Sequence, residues 1–266
     1  MDESDFSKYY KEYLEIWDAK SFESDNLNLE KKYEEISQIM GQYAKMNNQF
    51  ITIYNLKKQE AIFMSDNYMD VVGYDCTPEQ YKKWSSLYWM RDLPFIQSFF
   101  MLQLSYFYIS TCQSKLKTEN TARSLSWYLH NFQLSPPNSK KRNIGLLCSA
   151  LEISPSGKME VILIIDIDLS GLIKDMGTWW FEININEKET FSYHSSERKF
   201  QPKPILSKRE KEVLLLIEEG LGTKEIAERL FTSSHTIDKH RKNMLEYTGA
   251  KDSSSLINIG RLAKMI

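Results

Sequence analysis

Apolar positions recur with a helical period in the first fifty residues and then change to the two-residue period of β-strands. The helical spacing covers residues 4–48, which we expect to form N-terminal helices within a segment 1–49. It is carried by Tyr9, Tyr13 and Ile16, and again by Tyr33, Ile36, Ile39, Met40 and Tyr43. Short β-type runs then follow at 51–54 and 61–64, on either side of a polar turn.

The middle of the chain combines one apolar helix with further strands. The helix is predicted over residues 94–116, which are strongly apolar. Turn signals rich in Pro, Ser and Gly separate the strand-like runs, which lie at 125–132, 144–153 and 159–167. Residues 178–195 predict one more hairpin. Residues 201–205 predict a short linker, because proline disfavours helix in the residue before it.

Composition narrows the class of protein. Hydrophobic residues make up 42% of the 266 and the net charge is −2, which is ordinary for a folded, water-soluble chain. The acidic N-terminus lacks the pattern of a signal peptide, and no apolar stretch reaches the ~20 residues of a membrane helix. The three cysteines, Cys76, Cys112 and Cys148, are widely spaced and odd in number. They indicate reduced thiols, so we expect a cytoplasmic protein without membrane contact.

The last sixty residues carry a pattern of caps and apolar positions that predicts three short helices in succession. Ser207 and Glu210 form a capping box at the start of the first helix, and Gly220 ends it. Ser233 can cap the third helix. The inward positions of the three helices are Val213, Leu214 and Ile217, then Ile226, Ala227 and Leu230, then Ile237 and Met244.

The third helix keeps one polar face outward. The side chains at i, i+3, i+4 and i+7 on this face are His235, Asp238, Lys239 and Lys242. Hydrogen-bond donors on an exposed helix suit the major groove of DNA. Thr236 and Lys224, near the starts of the third and second helices, are placed to meet phosphates, which helix N-termini attract. On periodicity alone, a small helical domain with ordinary solvated charges explains the pattern equally well.

The segment from Leu206 to Ile266 resembles the LuxR/FixJ/NarL-type DNA-binding domain along its whole length. The matching residues are Leu206-Ser207, Arg209-Glu210, Glu212-Val213-Leu214, Gly220, Lys224-Glu225-Ile226-Ala227, Leu230, Ser233, Thr236-Ile237, His240 and Asn243-Met244-Leu245. The resemblance implies four helices, of which the third reads DNA and the fourth, at about 253–264, often pairs two subunits. Leu256, Ile259 and Ala263 share one side of that fourth helix and are the candidate dimerisation residues.

Two positions depart from this family pattern. Asp238 stands where the family usually has a lysine that contacts DNA, and Gly222-Thr223 replaces the usual Ser-Asn before the second helix. An acidic side chain facing phosphates lowers affinity, although it can accept a hydrogen bond from cytosine. The departures therefore affect the expected base preference rather than the expected fold.

Residues 50–200 resemble a PAS domain at their two ends. Residues 50–80 are similar to its start, through Ser65-Asp66-Asn67 and Val72-Gly73-Tyr74 before Pro78-Glu79. Residues 156–168 are similar to its closing hairpin. The resemblance implies a five-stranded antiparallel sheet with helices over one face, which can enclose a small ligand or serve for dimerisation.

A phospho-receiver is the alternative N-terminal module, because the apolar run 161–165 ends in Asp166 as a phosphoacceptor strand does. A receiver also needs an acidic pair roughly 40 residues earlier, and residues 121–124 contain none. We therefore expect Asp166 to lie on a core strand and not to accept phosphate.

The sequence thus predicts an α+β protein with segments 1–49 (helices), 50–200 (PAS-like), 201–205 (linker) and 206–266 (helix-turn-helix). Its predicted function is sequence-specific, dimeric binding to double-stranded DNA as a transcription regulator, with an unidentified small molecule as a candidate N-terminal ligand. The alternative is a dimerising antagonist whose DNA contact is weakened by Asp238. An enzyme is disfavoured, because the chain lacks a glycine-rich phosphate loop and a nucleophile elbow.

No cofactor or metal is predicted. Cys76 lacks the surroundings of a flavin-adduct cysteine, and His130 in a strand favours packing over haem ligation. His235 and His240 are five residues apart and fall on different helix faces, so a metal pair is not expected.

Overall fold

The computed structural model describes residues 29–73, 93–117, 123–135, 140–174 and 177–266. The predicted helical segment 4–48 is helical over Leu29–Met46. Tyr9, Tyr13, Ile16 and Cys76 lie outside the described residues.

The helices of the described residues follow the apolar periodicity of the sequence. In chain order they are α1 (Leu29–Met46), α2 (Tyr68–Val71), α3 (Phe95–Phe107), α4 (Gln113–Leu116), α5 (Lys208–Glu218), α6 (Thr223–Arg229), α7 (Ser234–Thr248) and α8 (Ser253–Leu262). A π-helical segment, Tyr108–Cys112, joins α3 to α4, so the predicted helix over residues 94–116 is confirmed. Within the described residues, no helix is long and apolar enough to cross a membrane.

The strands of the described residues form one sheet in the order β2-β1-β5-β4-β3-β6-β7-β8. They are β1 (Gln49–Asn55), β2 (Glu60–Met64), β3 (Leu125–Leu134), β4 (Arg142–Ile153), β5 (Met159–Asp168), β6 (Trp180–Ile185), β7 (Glu189–His194) and β8 (Phe200–Gln201). The pairs β1–β2, β1–β5, β4–β5 and β7–β8 are antiparallel. The protein is therefore of mixed α+β class, with an antiparallel sheet followed by C-terminal helices.

The PAS resemblance implied a sheet of five strands, whereas the sheet of the described residues has eight. Strands β1 to β5 take five adjacent positions, and β6, β7 and β8 follow beyond β3. The reason lies in the predicted hairpin over residues 178–195, whose first strand is buried almost throughout. A strand whose consecutive side chains are all buried is covered on both faces, which favours a place inside a larger sheet.

The chain divides into two compact units. The first comprises Met1–Trp127, Phe132–Asp168 and Asn184–Glu189, and the second comprises Tyr128–Asn131, Leu169–Ile183 and Thr190–Ile266. The C-terminal helices thus share a compact unit with residues of the preceding strands and loops.

In the first unit, α1 packs against the sheet. Tyr33 is buried with Ile53 of β1 and Val161 of β5, and Met40 packs against the same cluster. The Tyr33 hydroxyl donates a hydrogen bond of 2.9 Å to the Glu152 carboxylate on β4. These contacts fix one face of the helix on the sheet.

The helical layer around α4 is held by the turn between β4 and β5. The buried Tyr108 hydroxyl donates to the Gly157 carbonyl at 2.8 Å and accepts from the Met159 amide at 2.9 Å. Gly157 has φ +82°, and a Cβ there would lie 2.4 Å from the Gln113 carbonyl oxygen. Both the backbone angle and the close approach therefore require glycine at this turn.

Asp166 lies on β5 between Phe50 of β1 and Leu146 of β4, in antiparallel register with both. Its side chain is buried, at 8% exposure. A receiver needs a parallel sheet with a cluster of acids at the strand end, and this geometry provides neither at Asp166. Burial in the sheet raises the pKa of Asp166 to about 7.

This buried carboxyl predicts a pH-dependent stability. The folded chain binds the Asp166 proton more tightly than the unfolded chain. The protonated carboxyl therefore makes its full contribution to the free energy of unfolding below about pH 4, and this contribution is lost as the pH rises through about 7. We expect Asp166→Asn, which is neutral throughout, to gain stability over wild type at pH 8, by on the order of a few kcal/mol. Urea unfolding from pH 5 to pH 8.5 measures the difference.

The matched control is Asp70→Asn, which changes an exposed carboxyl of the same unit. Equal pH dependence of wild type and Asp166→Asn would show that the Asp166 carboxyl titrates alike in the folded and unfolded chains.

Candidate DNA-binding surface

The first helix of the C-terminal domain, α5, begins at the predicted capping box. The Ser207 hydroxyl accepts from the Glu210 amide at 3.3 Å, and the Glu210 carboxylate accepts from the Ser207 amide at 2.8 Å. Val213, Leu214 and Ile217 are buried as expected. Gly220, with φ +88°, follows the end of the helix in the left-handed conformation that glycine favours.

The second helix, α6, is short, and side chains from both neighbouring helices, α5 and α7, hydrogen-bond to the backbone beside it. Ile226 and Ala227 are buried. The Arg209 guanidinium on α5 donates to the Leu230 carbonyl at 2.8 Å, and the Arg241 guanidinium on α7 donates to the Leu221 carbonyl at 3.2 Å. These two arginines thus tie the residues on either side of α6 to the neighbouring helices, a role that the sequence pattern did not indicate.

The third helix, α7, starts at Ser233, whose hydroxyl accepts from the Thr236 amide at 3.1 Å. Ile237 and Met244 are fully buried and anchor its inner side. The side chains predicted to face outward are all exposed: His235, Asp238, Lys239 and Lys242. The structure therefore brings these residues onto one accessible face of a capped helix.

Two further predicted residues flank this face. Lys224, near the start of α6, is exposed. Thr236 is partly buried, and its hydroxyl lies 2.9 Å from that of Ser233, so it is already engaged at the N-terminus of α7. Lys242 lies 3.7 Å from the Glu246 carboxylate, with both side chains largely exposed.

The two departures from the family pattern meet in space. The Thr223 hydroxyl at the start of α6 donates a 3.0 Å hydrogen bond to the Asp238 carboxylate on α7. Both groups lie at the surface, and the bond holds the carboxylate on the outward face. No local signal links positions fifteen residues apart in sequence, so the sequence pattern does not predict this contact.

The turn before α7 carries an exposed aromatic side chain that no sequence motif indicated. Phe231 has φ +50° and is 97% exposed. A bulky residue in the left-handed region is uncommon outside turns. A fully exposed phenylalanine beside the N-terminus of α7 adds an apolar contact to an otherwise polar surface.

The last helix, α8, packs inward with the residues predicted for dimerisation. Leu256, Ile259 and Ala263 are 1%, 0% and 7% exposed. A Cβ on Gly260 would lie 2.9 Å from a Leu214 methyl, which shows how closely α8 approaches α5. The physical reason is that the apolar stripe of α8 closes the core of its own domain, so these three side chains offer no surface to a second chain.

The C-terminal end of α7 joins the rest of its compact unit through backbone bonds. The Lys174 amide donates to the Gly249 carbonyl at 2.9 Å, and the Lys251 amide donates to the Leu172 carbonyl at 3.0 Å. The His194 ring stacks on Tyr247 with centroids 3.9 Å apart, and its Nε2 lies 3.0 Å from the Tyr247 carbonyl oxygen. Burial lowers the pKa of His194.

The segment predicted as a linker, residues 201–205, includes a buried contact. The Ile205 amide donates to the Glu182 carboxylate on β6 at 2.7 Å. Desolvation raises the pKa of Glu182, against the lowering effect of this hydrogen bond. Ile205 itself is buried.

His130 lies in a buried, aromatic part of the described residues. Among the described residues, no group of three or more His, Cys, Asp or Glu side chains is arranged to hold a metal ion. His130 is buried on β3 with its ring stacked on Trp180, 4.9 Å between centroids. Burial lowers the pKa of His130 to about 3.

Taken together, α5 to α8 define a helix-turn-helix module with an exposed, mostly basic face on its third helix. Residues 204–259 match the family described as "Bacterial regulatory proteins, luxR family". The predicted LuxR-type DNA-binding domain is therefore confirmed for this part of the chain, which supports a DNA-binding transcription regulator.

Similarity to individual curated proteins is limited to part of the chain. The oxygen regulatory protein NreC of Staphylococcus aureus is 37% identical over 82 residues. That alignment covers 31% of this chain and 38% of NreC, so the chain spans less than half the length of this relative.

Two solved structures align over most of the chain at low similarity. A phage VqmA–DPO complex is 15% identical with a TM-score of 0.25, over 86% of this chain and 88% of the other. A Vibrio cholera VqmA–ligand–DNA complex is 13% identical with a TM-score of 0.29, over 83% and 85%.

Proposed function

We propose that this protein is a sequence-specific transcription regulator that inserts α7 into the major groove of its target DNA. The observation that carries the proposal is the exposed face of α7 in a domain matched to the luxR family. Lys239 and Lys242 supply positive charge on this face, and His235 supplies a ring nitrogen. A donor-bearing helix of this kind suits the major groove.

The flanks of the face supply the backbone contacts. Lys224 and Thr236, near the starts of α6 and α7, meet phosphates, because helix N-termini attract anions. Phe231 packs on a sugar or on a thymine methyl group, the apolar features of the DNA surface beside the turn. Contacts to phosphate position the helix, and contacts to base edges give it sequence preference.

The N-terminal part acts as a PAS-like sensory or dimerisation module without phosphorylation. Five adjacent antiparallel positions occupied by β1 to β5 support this proposal, as does the burial of Asp166. A signal shifts such a module by binding one of its arrangements better than another. The protein is cytoplasmic and non-enzymatic in this proposal, and its signal is a small molecule.

The protein binds DNA as a homodimer that reads two half-sites. One helix-turn-helix module has a small interface with DNA, and dimers of such modules place their half-sites about 10 base pairs apart or at a multiple of that distance. Because the apolar side of α8 is buried in its own domain, the contact between subunits uses another surface.

Selection of bound sequences from a random DNA pool by the full-length protein tests the proposal. The expected result is a recurrent motif with two half-sites and an affinity that falls steeply with salt. The dimerising antagonist, which the acidic Asp238 favours, would select no motif. A small phosphodonor that raises the DNA affinity of wild type but not of Asp166→Asn would restore the receiver interpretation.

A further inference from the structure

Helix α1 has two apolar faces, of which the sheet covers one. At about 100° per residue, Tyr33, Met40 and Ala44 fall on the same side of the helix. Tyr33 and Ala44 are 5% and 0% exposed, and Met40 packs against the cluster of Tyr33, Ile53 and Val161. This side accounts for the attachment of α1 to the first unit.

The second apolar face is turned about 100° from the first and is exposed. Ile36, Ile39, Tyr43 and Met46 are 47%, 71%, 53% and 86% exposed. A surface helix normally places polar side chains away from its packed face. The third sector of α1 obeys this rule, since Gln38, Gln42 and Lys45 are exposed there.

The exposed apolar residues have the spacing of a coiled-coil seam. Their intervals are three, four and three residues, so they form a continuous stripe along three turns. In a seam of this kind each apolar side chain inserts between four residues of a facing helix. Scattered single apolar residues on a surface need no partner, whereas a contiguous stripe marks an interaction site.

The near absence of charged side chains along this stripe favours an identical helix as its partner. Between Ile36 and Met46 the sole charged residue is Lys45. Its ammonium group pairs with the Asp66 carboxylate of the same chain at 2.7 Å. A second copy therefore meets this stripe without like-charge repulsion, while a charged partner peptide would find no unpaired charge on it. Closed dimers use the same patch on both subunits, which a self-complementary stripe permits.

We propose that Ile36, Ile39, Tyr43 and Met46, the α1 seam, form a homodimer contact in which α1 of one chain packs along α1 of a second. This proposal rests on the proposed function in one respect: binding two DNA half-sites requires two copies of the DNA-binding domain. The α1 seam supplies a contact between subunits, which the apolar residues of α8 cannot form because they are buried in their own domain.

Sedimentation velocity of the full-length protein over a range of concentrations tests the seam. Wild type is expected to dimerise. Ile39→Lys is expected to raise the dimer dissociation constant at least about tenfold, because it places a charge where an apolar side chain is buried between the two helices. Met46→Lys is the second variant, because Met46 is 86% exposed and its replacement leaves the fold of the subunit intact. Circular dichroism and thermal unfolding check that both variants are folded.

Two lysine substitutions serve as controls. Gln38→Lys adds the same charge to the polar sector of α1, and Ile96→Lys adds it to a partly exposed apolar position of α3. Both should dimerise like wild type. The seam is overturned if wild type is monomeric at all concentrations, if folded Ile39→Lys and Met46→Lys dimerise like wild type, or if Ile96→Lys alone dissociates the dimer. A monomeric wild type would include the case in which residues 1–28 or another protein covers α1.

DNA binding is read separately, so that the two proposals fail in different ways. On DNA selected by wild type, Ile39→Lys should lose affinity for paired half-sites and keep its affinity for a single half-site. If wild type forms a dimer through the seam and binds no DNA, the proposed function fails and the seam stands.

Discussion

Replacing Lys239 and Lys242 together with alanine is expected to lower DNA affinity by about ten- to a hundredfold. Both side chains are exposed on the outward face of α7, away from the buried Ile237 and Met244, so the fold should survive. If both lysines contact phosphates, the slope of log affinity against log salt should fall by about 2. If one contacts a base, that position of the selected motif should relax at a cost of ~1–3 kcal/mol.

Fluorescence anisotropy with a labelled duplex at several salt concentrations measures both quantities. Lys264→Ala is the matched control, because Lys264 is an exposed lysine of the same domain that follows α8. Glu246→Ala, which releases Lys242 from its nearby carboxylate, should leave affinity unchanged or raise it slightly. A folded double variant with unchanged affinity and slope would exclude the outward face of α7 as the DNA contact.

Asp238→Ala is expected to change base preference more than overall affinity. The Thr223 hydroxyl holds the Asp238 carboxylate on the outward face, where it can accept from the amino group of cytosine. Loss of that contact should relax one position of the selected motif by ~1–3 kcal/mol, while removal of the negative charge strengthens binding to phosphates in general. The two effects oppose each other on the preferred sequence, whereas on other sequences only the removal of the negative charge acts, so binding to them should strengthen.

Thr223→Val separates the hydrogen bond from the charge. Valine keeps the shape of threonine and removes the hydroxyl that positions Asp238, so the preference should weaken with the salt slope unchanged. Asp238→Lys restores the residue usual for the resembled family, and its slope should rise by about 1 to 2, since one negative charge becomes positive. Selected motifs from wild type, Thr223→Val and Asp238→Ala would be identical if Asp238 reads no base.

The C-terminal domain was predictable because its signals are local. The capping box at Ser207, the cap at Ser233 and the glycine at position 220 each act within a few residues, and the structure has all three. The outward face of α7 followed from helical spacing alone, because side chains three and four apart must share a side. The family resemblance added the DNA-binding role, which periodicity left open.

The N-terminal strands were also predictable, but their number in the sheet was not. Alternating and apolar runs set where β1 to β5 lie along the chain. The position of β6 beside β3 depends on contacts between residues some fifty positions apart. The sequence of one strand does not specify which distant strand it pairs with, or in which register. The PAS resemblance therefore implied a five-stranded sheet, whereas the described residues form one sheet of eight strands.

The sequence by itself determined the elements, the caps and the polar face of α7, because these depend on neighbours within one or two turns. The tertiary structure decided which apolar stripe is buried and which is free. The stripe of α8 looked available for a partner and closes its own core instead, whereas α1 keeps the exposed stripe at Ile36, Ile39, Tyr43 and Met46. Periodicity identifies an apolar face without identifying what covers it, because coverage depends on distant segments. The Thr223–Asp238 hydrogen bond likewise required the packing of α6 against α7.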